Sequence, residues 1–385
     1  MRFLTADWIF PLYRSPIKNG VLCVSEEGTI LDIFNKEKKP AKTEVFKGVL
    51  FPGFINAHCH LELSHLKNFI SKNTGFISFA EKIKQRNSFS KNKIQKSILE
   101  AEQCMKKNGI VGVGDICNTY DTVPQKEKGV LKYYNFIEVF GTKEEYTDAV
   151  IQKALEVQKI FSEAKLKATL TPHSRYSVTP NLMTKTVSHF NHSDTVYSIH
   201  NQETQHENNL FKEKSGEMLD WLKNMHASQN IWEEEGTNTV LSIAKKFNYQ
   251  QNLLLVHNTF TTLEEITLIE ECYKNIYWCT CPKSNLFIEG VLPNYSFFKN
   301  YNLCIGTDSL ASNNSLSILD EIKIIASNST LNLQQLLIAA CYNGAKALGF
   351  SELGSFKKHN TPGINLMKNL NGLKLTEETE VEIIL

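Results

Sequence analysis

Apolar residues in this 385-residue chain follow two different spacings. From residue 1 to about 49 they form short runs broken by turns: Phe3-Leu4, Trp8-Ile9-Phe10, Val21-Leu22-Cys23-Val24 and, after a Glu26-Glu27-Gly28 turn, Thr29 to Phe34. Runs of this length bounded by turn residues predict strands. A β unit this small cannot close a core alone. The far C-terminus offers matching strands at Gly363-Ile364-Asn365-Leu366 and Val381 to Leu385. The pattern therefore predicts one small β-sandwich built from both chain ends, residues 1–49 and 355–385, with the body of the chain, 50–354, inserted between them.

From Val49 onward, short apolar strands alternate with amphipathic helical stretches, the signature of a parallel sheet with crossover helices. Eight strands are expected: 49–57, Val111 to Ile116, Tyr133 to Phe140, Ala168 to Thr171, Val196 to Ile199, Leu253 to Val256, Ile276 to Cys279 and Leu303 to Gly306. Helical spacing of three and four recurs over Ile94 to Lys107, Asp148 to Glu163, Thr239 to Phe247, Leu263 to Tyr273 and Leu333 to Leu348. Eight strand-helix units predict an α/β fold of the TIM (β/α)8 barrel type. The connection from 203 to 235 is long, with a helical section from Phe211 to His226, and long connections on a barrel's C-terminal face serve as lids or substrate walls.

Composition narrows the class of partner. The 42 basic residues balance 41 acidic ones, which speaks against a nucleic-acid surface and leaves a small molecule as the expected ligand. The nine cysteines are scattered and odd in number, as in a reduced, cytoplasmic protein. The N-terminus lacks the apolar core of a signal peptide, and no apolar run reaches the roughly 20 residues of a membrane helix. Only four basic residues are arginine, Arg2, Arg14, Arg86 and Arg175, so an arginine near a pocket is informative.

The chemistry lies where the expected strands end. Strand one ends in His58 and His60, strand four in His173, strand five in His200, strand six in His257 and strand eight in Asp308. Side chains at i and i+2 of a strand share a face, so His58 and His60 can reach one ion. In a barrel the C-terminal strand ends meet at one mouth. Three imidazoles and a carboxylate around a divalent ion form a catalytic arrangement, and His58, His60, His200 and Asp308 are the expected ligands. Zn2+ is the expected ion, though the same donors accept Fe2+ or Mn2+. Asp308 can also take a proton from the attacking water. His257 is either a group holding that water or a fourth imidazole ligand. Glu203, three residues past His200, is placed to act as general acid.

With these residues in hand, the chain resembles the amidohydrolase superfamily over nearly its whole length. The matching pieces are Phe51-Pro-Gly-Phe-Ile-Asn-Ala-His58-Cys-His60, Thr171 to Val178, His200-Asn-Gln-Glu-Thr204, Val256-His-Asn258, Cys281-Pro-Lys-Ser-Asn285 and Gly306-Thr-Asp-Ser309. They look most like the adenosine-type branch, with its S-adenosylhomocysteine and methylthioadenosine deaminases and related chlorohydrolases. The resemblance implies one metal ion, His173 and Asn285 as substrate-binding residues, Glu203 as proton shuttle, His257 as the group orienting the water, and a homodimer. The form His58-Cys-His-Leu-Glu-Leu-Ser64 is similar to aminofutalosine deaminases of the alternative menaquinone pathway. That likeness implies Glu62 and Ser64 at the pocket edge near ribose hydroxyls, and a substrate carboxylate for which Arg175 is the first candidate and Arg86 its rival.

The leading expectation is a metal-dependent hydrolase that deaminates a 6-aminopurine nucleoside, aminofutalosine ahead of S-adenosylhomocysteine, methylthioadenosine or adenosine. An alternative is a hydrolase of the same scaffold acting on an s-triazine-like ring or a cyclic amide. A catalytically silent binding relative is a third reading, against which the complete set of ligand positions speaks.

Overall fold

A computed structural model describes residues 1–35, 40–190, 192–233 and 239–385, with the backbone alone at 233, 239 and 241. The last two positions of the connection expected over 203–235 thus lie outside the described residues.

The N-terminal strands are β1 (Arg2–Thr5), β2 (Trp8–Ile9), β3 (Ile17–Lys18), β4 (Val21–Val24), β5 (Ile30–Phe34), β6 (Thr43–Val45) and β7 (Val49–Pro52). The barrel strands follow as β8 (Phe54–Cys59), β9 (Ile110–Cys117), β10 (Lys132–Val139), β11 (Ala168–Pro172), β12 (Val196–Asn201), β13 (Asn252–His257), β14 (Ile276–Thr280) and β15 (Leu303–Ile305). The chain closes with β16 (Ile364–Lys368) and β17 (Glu380–Ile383).

Two sheets outside the barrel have strand orders β5-β4-β1-β6 and β17-β16-β7-β2-β3, so strands from both chain ends share the second. Leu4, Ile9, Leu22, Val24, Ile30, Leu50, Ile364 and Leu366 fill the space between them. The single strand expected over 49–57 is in fact two. Val49 to Pro52 pairs antiparallel with β16, and after Gly53 the chain enters the barrel as β8. A Cβ at Gly53 would sit 2.4 Å from Val111 Cγ1 and 2.9 Å from the Pro362 carbonyl, so the crossing from sheet to barrel needs a residue without a side chain.

The eight barrel strands form two parallel four-stranded halves, β8 to β11 and β12 to β15. Two seams join the halves, and each carries one isolated parallel bridge, Cys59 with Asp308 and Ser174 with His200. Side chains supplement the sparse backbone pairing there. At one seam the Asn56 amide donates to Thr307 Oγ1 (2.8 Å) and accepts from the Thr307 backbone N–H (3.0 Å). At the other, Thr169 and Thr171 donate their hydroxyls to the carbonyls of Val196 (3.1 Å) and Ser198 (2.5 Å). Gly306 makes the first seam possible, since a Cβ there would lie 2.8 Å from the His58 carbonyl oxygen.

The expected helices form, with one irregularity: the stretch expected over Leu333 to Leu348 contains a π-helical segment at Ile338–Asn343 between α-helical pieces. Over the barrel mouth, helix α1 (Phe76–Ile83) packs against α2 (Gln205–Glu213) and α3 (Glu217–Asn224) through Phe76, Leu210, Phe211, Met218, Leu219 and Leu222. The helical section expected within 203–235 is present, and its buried apolar face makes it a wall rather than a loose insertion. Among the described residues no helix is long and apolar enough to cross a membrane.

Candidate metal and active site

The strand-end residues expected to meet do meet. Nitrogens of His58, His60 and His200 lie within 4.8 Å of one another. His60 Nε2 is 3.1 Å from His58 Nε2, and Asp308 Oδ1 is 3.4 Å from His60 Nε2 and 3.8 Å from His58 Nε2. All four side chains are buried. Burial, then repulsion from the neighbouring imidazoles, holds His58 and His200 well below the ordinary histidine value, so both are neutral with lone pairs to give. Burial works against the Asp308 carboxylate, yet His60, His257 and two hydroxyl hydrogen bonds hold it ionised. Neutral nitrogens and an anionic oxygen converging in a buried space are the donor set a divalent ion requires.

Two of these donors, His200 and Asp308, are oriented from behind. His200 Nδ1 bonds the His173 carbonyl at 2.8 Å, which turns Nε2 inward. Asp308 Oδ2 accepts from Ser284 Oγ (2.6 Å) and Ser312 Oγ (2.7 Å), leaving Oδ1 for the ion. Asp115 Oδ1 accepts the Leu61 backbone N–H at 2.7 Å and so fixes the turn after His60. Asp308, His257, Asn258 and Gln202 all have positive φ, between 46° and 75°, and such strain in non-glycine residues gathers at functional sites.

Around this cluster lies a cavity of about 590 Å³. His60, His173, His200, Glu203, His257 and Asp308 line its floor. Glu203 Oε1 is 3.6 Å from His257 Nε2. Burial, reinforced by repulsion from Asp308, pushes the Glu203 carboxyl up to about 8. His257 is held below its ordinary value chiefly by burial, and its Nδ1 faces Asn285 Oδ1 at 2.8 Å. Among the described residues donor atoms converge in two groups, His58 with His60 and His200, and Glu138 with His173 and His200, while His257 stands beside Glu203.

Four of the residues expected near the substrate, Asn285, Ser64, Glu62 and Arg175, lie off the cavity lining. Asn285 is buried and lies off the cavity lining, its Oδ1 facing the His257 ring. Ser64 also lies off the lining, because its hydroxyl is turned back to the Leu61 carbonyl at 2.7 Å. Glu62 lies behind the wall, its Oε2 accepting from the Asn118 and Thr119 backbone N–H groups (both 3.0 Å) and from Thr119 Oγ1 (2.9 Å). Arg175 is only 3 % exposed, its guanidinium 5.1 Å from the Phe211 ring, and it is not among the cavity-lining residues. Arg86, by contrast, lines the cavity.

Sequence reasoning missed Glu138. This carboxylate lines the cavity, 2.6 Å from His173 Nδ1 through Oε1, while Oε2 accepts from Asn118 Nδ2 at 2.8 Å. Burial would lower the His173 imidazole, but Glu138 holds it above its ordinary value. The signal was a lone charge inside the apolar run Phe136-Ile137-Glu138-Val139, at the end of a barrel strand.

A family model described as "Amidohydrolase family" matches residues 49–377. An adenosine deaminase from Helicobacter pylori is 28 % identical over 326 residues, covering 80 % of this chain and 77 % of that protein. An aminodeoxyfutalosine deaminase from a Nitratiruptor species is 24 % identical over 365 residues, 93 % and 88 % of the two chains. The crystal structure of Helicobacter pylori aminofutalosine deaminase in complex with methylthio-coformycin superposes with a TM-score of 0.81 at 24 % identity, covering 100 % of this chain and 98 % of that one. The barrel and the match along most of the chain agree: this protein belongs to the amidohydrolase family.

Proposed function

We propose that this protein is a metal-dependent aminohydrolase that replaces the 6-amino group of an adenine nucleoside with oxygen, consuming water and releasing ammonia, with aminofutalosine as the favoured substrate and Zn2+ as the ion. The observation that carries this reading is the pairing of Glu203 and His257 in the same cavity that His60, His200 and Asp308 line. His58, His60, His200 and Asp308 would hold a divalent ion, which would supply Lewis acidity and lower the pKa of water to roughly 7. The chain's own groups do the rest. Asp308 accepts a proton from the attacking water, its carboxylate held in place by Ser284 and Ser312. His257, fixed by Asn285, holds the nucleophile in line. Glu203, whose buried carboxyl retains its proton near neutrality, delivers it to a ring nitrogen and makes the amino-bearing carbon electrophilic. Chloride leaves without needing a proton and ammonia does not, and dehalogenating hydrolases of this scaffold do not all need such an acid, so the pair favours deamination.

The named activities of the adenosine and aminodeoxyfutalosine deaminase relatives support the substrate class. The cavity volume lies within the roughly 300–1,000 Å³ typical of ligand sites, and aromatic and aliphatic side chains of α1 and α3 make its outer walls. The test is ammonia release from zinc-loaded protein offered aminofutalosine, S-adenosylhomocysteine, methylthioadenosine and adenosine. Turnover should fall by about 10²- to 10⁴-fold in Glu203→Gln with metal content unchanged. Metal-replete protein that releases no ammonia from any of the four would refute the reading.

A further inference from the structure

We infer that Arg86 is the specificity-determining residue of this site, anchoring a carboxylate on an aryl 5′ substituent of the nucleoside; the inference rests on the deaminase reading above. A polar rail runs along one wall of the cavity. His173 Nδ1 meets Glu138 Oε1 at 2.6 Å, Glu138 Oε2 accepts from Asn118 Nδ2 at 2.8 Å, and Asn118 Oδ1 accepts from Arg86 Nη2 at 3.2 Å. His173, Glu138, Asn118 and Arg86 all line the cavity. Arg86 therefore stands three hydrogen bonds away from the floor where the purine reacts, which is where the remote end of an extended nucleoside would lie.

The guanidinium is built into the wall. The Arg86 carbonyl accepts from His65 Nε2 at 3.0 Å, and His65 Nδ1 is 3.1 Å from the Glu62 carbonyl, so the short 3-10 turn that carries Arg86 is pinned. Glu62 faces the guanidinium at 3.8 Å, an ion-pair distance too long for a hydrogen bond, and its other oxygen is saturated by residues 118 and 119. Asn118 takes one of five N–H donors, and the side chain, 22 % exposed, offers others to the cavity. A fixed planar fork is suited to a carboxylate. Phe79, Ile83, Trp221 and Met225 line the same cavity and suit an aromatic ring between ribose and carboxylate. The two lysines of the lining are weaker candidates: Lys84 is 54 % exposed and paired with Glu81, and Lys143 is the rival to be tested.

The experiment compares kcat/KM for aminofutalosine and adenosine in wild type, Arg86→Met, Arg86→Lys and Lys143→Met. Arg86→Met should lower the value for the carboxylated nucleoside about 10- to 100-fold, carried by KM, with adenosine changed less than about threefold. Arg86→Lys should recover part of the loss. Equal losses on both substrates, or the selective loss appearing in Lys143→Met and not in Arg86→Met, would overturn the assignment. Wild-type enzyme that deaminates neither compound would instead overturn the deaminase reading. Calorimetric binding of both nucleosides to wild type and Arg86→Met would still decide the anchor, with unchanged relative affinity counting against it.

Discussion

The side-chain oxygen of Asn285 lies 2.8 Å from Nδ1 of His257, and both residues are buried. An amide oxygen can only accept, so it selects the tautomer with the proton on Nδ1 and leaves the Nε2 lone pair facing Glu203 and the cavity. Replacing Asn285 by Leu should lower kcat about 10- to 100-fold with little change in KM, read by steady-state kinetics. A variant with normal kcat would show that ring orientation is set by packing alone.

Ser284 and Ser312 hold the rear oxygen of Asp308. Removing both hydroxyls, in Ser284→Ala/Ser312→Ala, frees the carboxylate to rotate and should weaken metal affinity about 10- to 100-fold, measured by competition with a chromogenic chelator. Chelation of the wild type should abolish activity, and adding the ion back should restore it.

Glu138 holds the charge that keeps the His173 imidazole above its ordinary value. Glu138→Gln keeps an acceptor for Nδ1 but removes the charge, so burial should then pull the imidazole down and Nε2 should lose its proton at lower pH. The alkaline limb of kcat/KM attributable to His173 should move to lower pH, which a profile from pH 5 to 9 would detect.

Glu321 gives a prediction about stability. Its buried carboxyl is pushed up to about 8, first by burial, although the Lys283 backbone N–H and the Asn313 amide donate to it. The folded state therefore binds the proton more tightly than the unfolded chain, whose carboxyl titrates near the ordinary value of about 4.3. The benefit is full below that value and is lost as pH rises towards 8. Glu321→Ala should accordingly cost most at pH 5 and progressively less at pH 7 and pH 9, in urea denaturation at each pH. A cost independent of pH would mean the carboxyl titrates normally.

Much of this architecture could be read from the chain because strand period and strand ends are local signals. Each barrel strand is a short apolar run, and His58, His60, His200, His257 and Asp308 stand at or just beyond the ends of theirs, so the fold alone brings them together. Contacts that depend on which way a side chain turns were not legible. Ser64 and Arg175 occupy plausible positions in sequence, yet one bonds its own turn and the other stacks on Phe211. Asn285 follows a recognisable motif but faces His257. The edge strands Ile17–Lys18 and Thr43–Val45 are too short to give a periodic signal and exist through pairing with β2 and β1. Val49 to Pro52 and Phe54 to Cys59 read as one run because apolar residues flank Gly53 on both sides, and only Gly53 marks the point where the chain changes sheets.

The two seams of the barrel give the ligand set a mechanical meaning. His58 and His60 belong to the first four-stranded half, His200 and Asp308 to the second, and Asp308 and His200 are themselves the bridging residues at the two seams. An ion gripped by these four side chains would act as a rivet between two half-shells that otherwise meet through a few stitches. Loading it should stiffen β8, β12 and the strand ends beside them well beyond the reach of direct coordination, and losing it should loosen the cylinder along those same lines.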